Sequence, residues 1–430
     1  MKKNVLCIGY CFVFVAALFV DSAVAADDFL IHDGDRVVIY GDSITDNQLY
    51  PQIIEDFIVT RHPNWDVQVW NRGWGGDMAH YYGRFQRDCL SLKPTVVIIC
   101  LGMNDAWYVP FDKARFEEYV YYLDRMAKDL KAIGSRVVFV SPPTYDLAQQ
   151  QNLLHSGDQK VYEMSYYPEV LREFSLGMLA AAKVNQCTYI DLNNSYSILL
   201  AIGRARHGAE FRMSRAGDAV HPYGPGQLAM AAFILQGLNA PSEVAYVVID
   251  AKAVQATEVR STKISDLSFD GKQMSFNRLD TALPMPAYEQ TEPVGEMLDL
   301  TDRFNRNVLR IQNLKPGNYK LVVDDRHIVT LDANAWQEGT NLCRRVFLPE
   351  MMHSKEVSEA TKKLHEARYY KWRKVLCKNI GWVGSDAAYD TNDKKELKKA
   401  GEAIETAQRT RKELSKPKVR RYVLERVNQD

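Results

Sequence analysis

The stretch Arg36-Val37-Val38-Ile39-Tyr40-Gly41-Asp42-Ser43-Ile44-Thr45 joins an apolar run to a turn of small polar residues. Its first half is mostly β-branched and has no polar residue at alternate positions, which predicts a strand covered on both faces. Similar runs recur downstream and alternate with segments whose apolar residues have helical spacing. The predicted strands are 37–40, 67–70, 96–101, 137–140 and 189–192, and the predicted helices are 51–61, 115–133, 168–184 and 226–238.

This alternation of strands and helices predicts the fold class of residues 26–243. Apolar strands that each lead into a helix form a parallel sheet with helices on both faces, a three-layer α/β/α doubly wound domain. In such a domain, ligands bind beyond the carboxyl ends of the strands. The loops after Tyr40, Trp70 and Leu101 are therefore the expected place for a functional site.

The rest of the chain has a different pattern of apolar and polar residues. The whole chain of 430 residues is longer than one hydrophobic core usually supports, so more than one domain is expected. Residues 244–342 contain short alternating segments separated by Gly, Pro, Asp and Asn, which predicts a small antiparallel β module. Residues 343–430 are predicted as a charged helical region, with a helical hairpin formed by 354–379 and 392–415. From Asn341 onward the net charge is +9. We interpret this region as a solvent-exposed helical surface, and a docking surface for an acidic glycan or a membrane is the alternative.

Residues 1–25 have the organisation of a secretory signal peptide. Lys2 and Lys3 precede an apolar stretch, and Ala23-Val24-Ala25 supplies small residues for cleavage. An uncleaved membrane anchor is the alternative, but no later apolar run is long enough to span a bilayer. We therefore expect a secreted or periplasmic protein without a transmembrane span in the mature chain.

Charge, cysteine spacing and histidine spacing limit the kinds of ligand and partner that the chain is expected to bind. The 54 Lys and Arg residues balance 54 Asp and Glu residues, so whole-chain charge gives no reason to expect a nucleic acid partner. Beyond residue 25 the five cysteines are widely scattered, which is typical neither of a disulfide scaffold nor of a zinc module. The histidines show no metal-ligand spacing and no phosphate-binding Gly-Lys-Ser/Thr loop is present, so we expect no metal and no cofactor.

Four short polar blocks fall on loops of the predicted α/β domain. They are Gly41-Asp42-Ser43, the glycine block Asn71-Arg72-Gly73-Trp74-Gly75-Gly76-Asp77, Gly102-Met103-Asn104-Asp105, and Asp218-Ala219-Val220-His221-Pro222. Each block alone is common in turns. Together they bring a hydroxyl, flexible backbone amides, a side-chain amide, a carboxylate and an imidazole to one edge of the sheet.

In this order the four blocks resemble those of the SGNH (GDSL-like) hydrolase superfamily, over about residues 36–237, with Ile44 in place of the Leu of the signature. The resemblance implies an α/β/α esterase or acylhydrolase in which Ser43 is the nucleophile, His221 the base and Asp218 the residue that orients it. It also implies an oxyanion hole made of the Ser43 amide, the Gly76 amide and the Asn104 side chain. Gly76 is chosen because it stands five residues after Asn71, and Gly73 and Gly75 remain alternatives.

The chemistry of these residues agrees with that implication. A serine hydroxyl becomes a good nucleophile only when a neighbouring base removes its proton, and imidazole has a pKa suited to that role near neutral pH. A carboxylate beside the imidazole fixes its tautomer and stabilises the imidazolium. The predicted mechanism is thus Ser-His-Asp hydrolysis of an acyl ester without a metal.

Aromatic residues next to the blocks suggest the kind of substrate. Trp74, Trp107, Tyr108 and Tyr223 are predicted to line the site, where their faces would pack against sugar rings. The set resembles secreted bacterial carbohydrate esterases, which implies an acetylated glycan or small ester as substrate. Two alternatives stay open: a lipid or thioester acylhydrolase, and a carbohydrate-binding surface protein without turnover.

Overall fold

A computed structural model of the chain describes residues 29–150, 164–288 and 291–427. The predicted signal peptide, residues 1–25, lies outside these ranges. Within them, all five cysteines are free thiols. None of the helices in the described part is both long enough and apolar enough to cross a bilayer.

The predicted parallel sheet is confirmed. Its strands run in the order β2-β1-β3-β4-β5, and every neighbouring pair is parallel. Gly41 at the end of β1 is level with Gly73 on one neighbour and Cys100 on the other, so three strands end side by side. The strands are β1 (Arg36–Gly41), β2 (Gln68–Gly73), β3 (Val96–Cys100), β4 (Arg136–Val140) and β5 (Thr188–Ile190).

Helices on both faces bury this sheet. The chain moves from β1 to β2 in one direction and from β3 to β5 in the other, and right-handed crossovers therefore place the connecting helices on opposite faces. All five residues of β3 are buried, as a strand covered on both faces requires. The helices are α1 (Ser43–Asp46), α2 (Leu49–Arg61), α3 (Tyr82–Asp88), α4 (Lys113–Ala132), α5 (Tyr167–Val184), α6 (Leu192–His207) and α7 (Pro225–Gly237).

Two further sheets pack face to face around one apolar core, which includes Phe276, Leu309 and Leu321. The four-stranded sheet has the order β13-β10-β6-β7 and contains one parallel pair, β6 with β10. The five-stranded sheet is antiparallel, in the order β12-β11-β14-β9-β8. The strands are β6 (Glu243–Asp250), β7 (Gln255–Arg260), β8 (Thr262–Phe269), β9 (Gln273–Asp280), β10 (Arg306–Gln312), β11 (Asn318–Val323), β12 (Arg326–Asp332), β13 (Thr340–Asn341) and β14 (Arg420–Val427).

The C-terminal region differs from the predicted one at its end. Residues 343–430 were predicted to be helical, but Arg420–Val427 form β14, which lies between β9 and β11 in the five-stranded sheet. Tyr422 and Leu424 point into the apolar core, whereas Arg421 and Glu425 stay on the outer face. This alternation belongs to a half-buried strand, and the surrounding charges concealed it in the sequence.

The predicted helical hairpin is present as α11 (Pro349–Tyr369) and α12 (Lys394–Leu414), which pack against each other. A π-helical segment, Tyr370–Leu376, continues α11. Residues 377–393, here called the C-terminal loop, lead from that segment to α12. The remaining short helices are α8 (Glu292–Met297), α9 (Leu300–Phe304) and α10 (Ala333–Glu338).

A buried charge cluster joins this hairpin to the α/β domain. Glu55 on α2 is fully buried and accepts hydrogen bonds from His365 and Arg368 of α11, at 2.6 and 3.0 Å, and from Arg411 of α12. Burial alone would raise the pKa of the Glu55 carboxyl, but the two guanidinium groups and the imidazole hold it well below its usual range. The C-terminal helices are therefore an integral part of the molecule.

Candidate active site

Ser43 lies at the carboxyl end of β1, where the chain turns into α1. The Asp42 carboxylate accepts a hydrogen bond from the Ile44 amide at 2.8 Å and so caps this short helix. A Cβ at position 41 would lie 2.6 Å from the carbonyl oxygen of Cys100, so only glycine fits there. This close packing fixes Ser43 at the edge of the sheet.

The structure brings the three predicted catalytic side chains together in one hydrogen-bonded chain. The Ser43 Oγ lies 2.9 Å from the His221 Nε2, and the His221 Nδ1 lies 2.9 Å from the Asp218 Oδ2. With the Nδ1 proton donated to the carboxylate, Nε2 is free to accept the serine proton. The arrangement has the geometry that an activated serine nucleophile needs.

Asp218 is held by its own loop. Its Oδ1 accepts hydrogen bonds from the amides of Val220 and His221 at 2.9 and 3.0 Å, so the Asp-x-x-His spacing closes a tight turn around the carboxylate. Partial burial raises the pKa of the Asp218 carboxyl, but these amides and the imidazole outweigh that effect and lower the pKa below its ordinary value. Asp218 is therefore ionised at neutral pH. The His221 side chain is 42% exposed and can be reached by a substrate.

Asn104 is oriented at both ends of its side-chain amide. Its Oδ1 accepts a hydrogen bond from the Tyr108 hydroxyl at 3.1 Å, and its Nδ2 donates to the Asp77 carbonyl at 3.2 Å. The Tyr108 ring stacks on Tyr167, with 4.8 Å between the ring centroids. These contacts leave the second Nδ2 proton of Asn104 for a ligand, and they give Tyr108 the role of holding Asn104.

Among the three glycines that the sequence left open, hydrogen bonding favours Gly76. The Gly73 amide donates to the Asn71 Oδ1 at 2.8 Å, and the Gly75 amide faces the Asp46 carboxylate. The Gly76 amide has no partner among the described residues, and the φ of Gly76 is +76°. A Cβ at Gly75 would lie 3.8 Å from the Ser43 Cβ, so the glycine block lies directly beside the serine.

Three buried carboxyls lie behind the site, on Asp42, Asp77 and Asp105. Burial raises the pKa of each to about 7. Asp105 accepts hydrogen bonds from the amides of Ala79 and Gly102, at 2.7 and 2.9 Å, and so ties the glycine block to the Asn104 loop. In the part of the chain that the structure describes, no group of three or more His, Cys, Asp or Glu side chains is arranged to hold a metal ion.

The predicted aromatic residues have different positions. The prediction for Trp74 is wrong, because its side chain is only 6% exposed and packs edge-on against Trp372, with Arg373 3.5 Å from its ring centroid. The π-helical segment after α11 covers Trp74, and no local pattern around Trp74 indicates this contact. Trp107 and Tyr223 are 48% and 44% exposed, and one guanidinium group lies over each ring.

Sequence reasoning missed the contact between the C-terminal loop and the glycine block. A Cβ at Gly76 would lie 4.0 Å from the Val383 Cγ1, which places this loop against the glycine block. Arg87 on α3 donates hydrogen bonds to the carbonyl oxygens of Ser385 and Ala387 at 2.8 and 3.0 Å. About 300 residues separate the two segments, and no motif in either one indicated the contact.

Comparisons with known proteins agree with this geometry. Residues 39–229 match the model of the GDSL-like lipase/acylhydrolase family. An acetylxylan esterase from Geobacillus stearothermophilus is 21% identical over 231 residues, which are 49% of this chain and 96% of that protein.

Two solved structures are also similar to the chain. One is a gut microbial diltiazem-metabolizing enzyme, 24% identical, with a TM-score of 0.76 over 92% of this chain and 98% of its own. The other is an acetylxylan esterase from Geobacillus stearothermophilus, 19% identical, with a TM-score of 0.40 over 49% of this chain and 97% of its own. The first is similar in fold over nearly the whole length of both chains. The predicted resemblance is thus confirmed: residues 39–229, which contain all four motif blocks, match the model of the GDSL-like lipase/acylhydrolase family.

Proposed function

We propose that this chain is a serine esterase that removes acetyl groups from carbohydrates. The observation that carries the proposal is the contact chain from Ser43 through His221 to Asp218, with 2.9 Å at each step. A site that only binds sugars has no need of a nucleophile paired with a base. The match to an acylhydrolase family and the similarity to an acetylxylan esterase support the same reaction class.

The first half of the reaction transfers the acyl group to the enzyme. The Ser43 Oγ attacks the ester carbonyl carbon while its proton moves to the His221 Nε2, and the carbonyl oxygen becomes an oxyanion. His221 then gives that proton to the departing alcohol oxygen as the ester C–O bond breaks. In the second half, water attacks the acyl-serine by the same proton transfers, which releases the carboxylic acid and restores Ser43.

The oxyanion is the species that the site stabilises most. The amides of Ser43 and Gly76 and the remaining Asn104 Nδ2 proton supply three donors, and the Tyr108 and Asp77 contacts fix the orientation of the Asn104 amide in advance. Removing one such donor typically costs about 3 to 4 kcal/mol of transition-state stabilisation. Asp218 supports the imidazolium that forms at the same moment.

The second part of the proposal is that the alcohol part of the substrate is a carbohydrate. The exposed rings of Trp107 and Tyr223 follow the Asn104 and His221 blocks directly, and aromatic faces suit the C–H faces of sugars. A lipid or thioester acylhydrolase would instead prefer long acyl chains. Activity that rises steeply from acetyl to long-chain esters would replace the carbohydrate assignment.

The test is acetate release by the purified chain from acetylated xylo-oligosaccharides, from methyl acetate and from diltiazem, the compound named for the solved enzyme of similar fold. Ser43→Ala and His221→Ala should each lower kcat at least about 10³-fold, because nucleophile and base act as one unit. Ser265→Ala, at an exposed serine of β8, is the matched control and should retain full activity. Equal turnover by the Ser43→Ala protein would remove Ser43 from the mechanism, and glycan binding without acetate release would favour a non-catalytic protein.

We also propose that the protein acts outside the cytoplasm. The charge, apolar stretch and small residues of positions 1–25 support export and cleavage. Mass spectrometry of the protein from its native host should find Ala26 as the first residue. A cytoplasmic protein that retains residues 1–25 would contradict this assignment.

A further inference from the structure

The C-terminal loop reaches the reacting centre through a short series of contacts. Gly75 adjoins Ser43, Gly76 follows it, and Val383 touches the position that a Cβ of Gly76 would occupy. Trp382 is the neighbour of Val383 along the chain. Its indole packs against Tyr81, which lies four residues after Asp77 at the end of the glycine block.

The indole of Trp382 is held in place although it is exposed. Its ring stands perpendicular to the Tyr81 ring, at 88° with 5.4 Å between centroids, while 56% of the residue is exposed. A Cβ at Gly384 would lie 2.2 Å from this indole, so the absence of a side chain there makes room for the ring. With Arg87 fixing the loop, the ring is a rigid apolar surface next to a polar site.

Trp382 also differs from the other exposed rings near the site. Arg115 lies 4.9 Å from the Trp107 ring centroid, and Arg215 lies 4.6 Å from that of Tyr223. Among the described residues no guanidinium or ammonium group lies over Trp382. Its indole face is therefore open to a ligand that offers C–H groups.

We propose that Trp382 is a specificity-determining residue that packs against a sugar ring on the alcohol side of the scissile ester. This rests on the proposed function, because the ligand is the sugar of an acetylated glycan. Apolar contact between a rigid indole and a sugar ring stabilises binding in both ground and transition states. A substrate whose alcohol is too small to reach the ring gains nothing from it.

The test compares two substrates with one readout, the release of acetate. For Trp382→Ala, KM for acetylated xylo-oligosaccharides should rise about tenfold, whereas kcat/KM for methyl acetate should stay within about twofold of the wild type. Trp382→Phe should recover most of the glycan activity. Tyr121→Ala is the matched control, since Tyr121 is 58% exposed and also stands edge-on to a tyrosine, on α4.

The outcomes separate the two proposals. Equal losses on both substrates, or no loss on the glycan, would overturn the role of Trp382 while leaving the esterase assignment intact. A wild-type protein that cleaves methyl acetate but no glycan would overturn it too. A wild-type protein that releases no acetate from any ester would instead refute the proposed function itself.

Discussion

The Asn104 amide, a proposed oxyanion donor, is held in its orientation by a neighbouring tyrosine. Tyr108→Phe removes the hydroxyl that donates to the Asn104 Oδ1 and keeps the ring that stacks on Tyr167. We expect kcat to fall up to about tenfold with little change in KM, compared with about 10² to 10³-fold for Asn104→Ala. Steady-state kinetics on methyl acetate measures both.

Tyr189→Phe is the control for the loss of a tyrosine hydroxyl, because the Tyr189 hydroxyl donates to the Ser175 carbonyl and touches no residue of the site. Its kinetics should match the wild type. If Tyr108→Phe also had the kcat and KM of the wild type, the Tyr108 hydroxyl would have no part in orienting Asn104.

Asp42 gives a prediction about pH and stability. Burial raises the pKa of its carboxyl to about 7, whereas in the unfolded chain it titrates near 4. Between these values the unfolded chain releases the proton and the folded chain keeps it, so the contribution of this group to the free energy of unfolding falls as the pH rises, and it levels off above pH 7. Asp42→Asn keeps an oxygen for the Ile44 amide and removes this titration.

The variant should therefore gain stability relative to the wild type as the pH rises from 5 to 8. Urea unfolding of both proteins at the two pH values gives the difference directly. A difference that stays constant, or that shrinks with rising pH, would mean that folding does not raise the pKa of the Asp42 carboxyl.

At the scale of elements, α2 and the C-terminal hairpin depend on the charge of Glu55. Glu55→Gln leaves the guanidinium groups of Arg368 and Arg411 buried without a counter-charge, which costs about 3 to 5 kcal/mol of unfolding free energy. The pKa of Glu55 is held below its usual range, so its contribution is full above pH 5 and is lost as the pH falls. Urea unfolding at pH 7 measures the cost.

Glu402→Gln is the matched control, since Glu402 pairs with Lys398 on the exposed face of α12. An exposed pair of this kind contributes about 0 to 1 kcal/mol. Similar losses for the two variants would show that the buried cluster contributes no more than a surface pair.

A helix or strand can be predicted from the sequence when the pattern that indicates it lies within its own segment. The parallel strands and the four motif blocks were predictable, because apolar runs and turn residues indicate the structure of the segment in which they occur. β14 was not, since only its pairing with β9 and β11 reveals why Tyr422 and Leu424 alternate with charged residues. An isolated strand of this composition is hard to distinguish from a charged helix end.

The same reasoning applies to the site. Ser43, Asn104, Asp218 and His221 each follow a recognisable local pattern. The structure joins Ser43, His221 and Asp218 by hydrogen bonds and places Asn104 against Asp77 of the glycine block. The burial of Trp74 depends on Trp372, about 300 residues away, and the position of Trp382 depends on the path of the C-terminal loop. Contacts between segments so far apart in the chain do not produce a periodic pattern of apolar residues in either segment.

At the scale of the whole molecule, β14 completes the five-stranded sheet and is connected through α11 to the loop beside the glycine block. Central strand β14 pairs with β9 on one side and β11 on the other, and the Tyr422 ring stacks on Phe276. The Tyr422 hydroxyl donates to Glu350 at the start of α11, at 2.6 Å. The far end of α11 leads through the π-helical segment into the C-terminal loop beside Gly76.

Deletion of residues 420–430 therefore has consequences at both ends of α11. It exposes the facing edges of β9 and β11 and removes two buried side chains from the shared core, so the unfolding midpoint in urea should fall sharply and the transition should lose cooperativity. Activity on acetylated xylo-oligosaccharides should fall more than activity on methyl acetate, because the C-terminal loop loses its support. A chain that ends at Val427 keeps β14 and should behave as the full-length protein. If the shorter deletion and the longer one unfold alike, β14 does not stabilise the five-stranded sheet. The expected support of the C-terminal loop by β14 would then be contradicted as well.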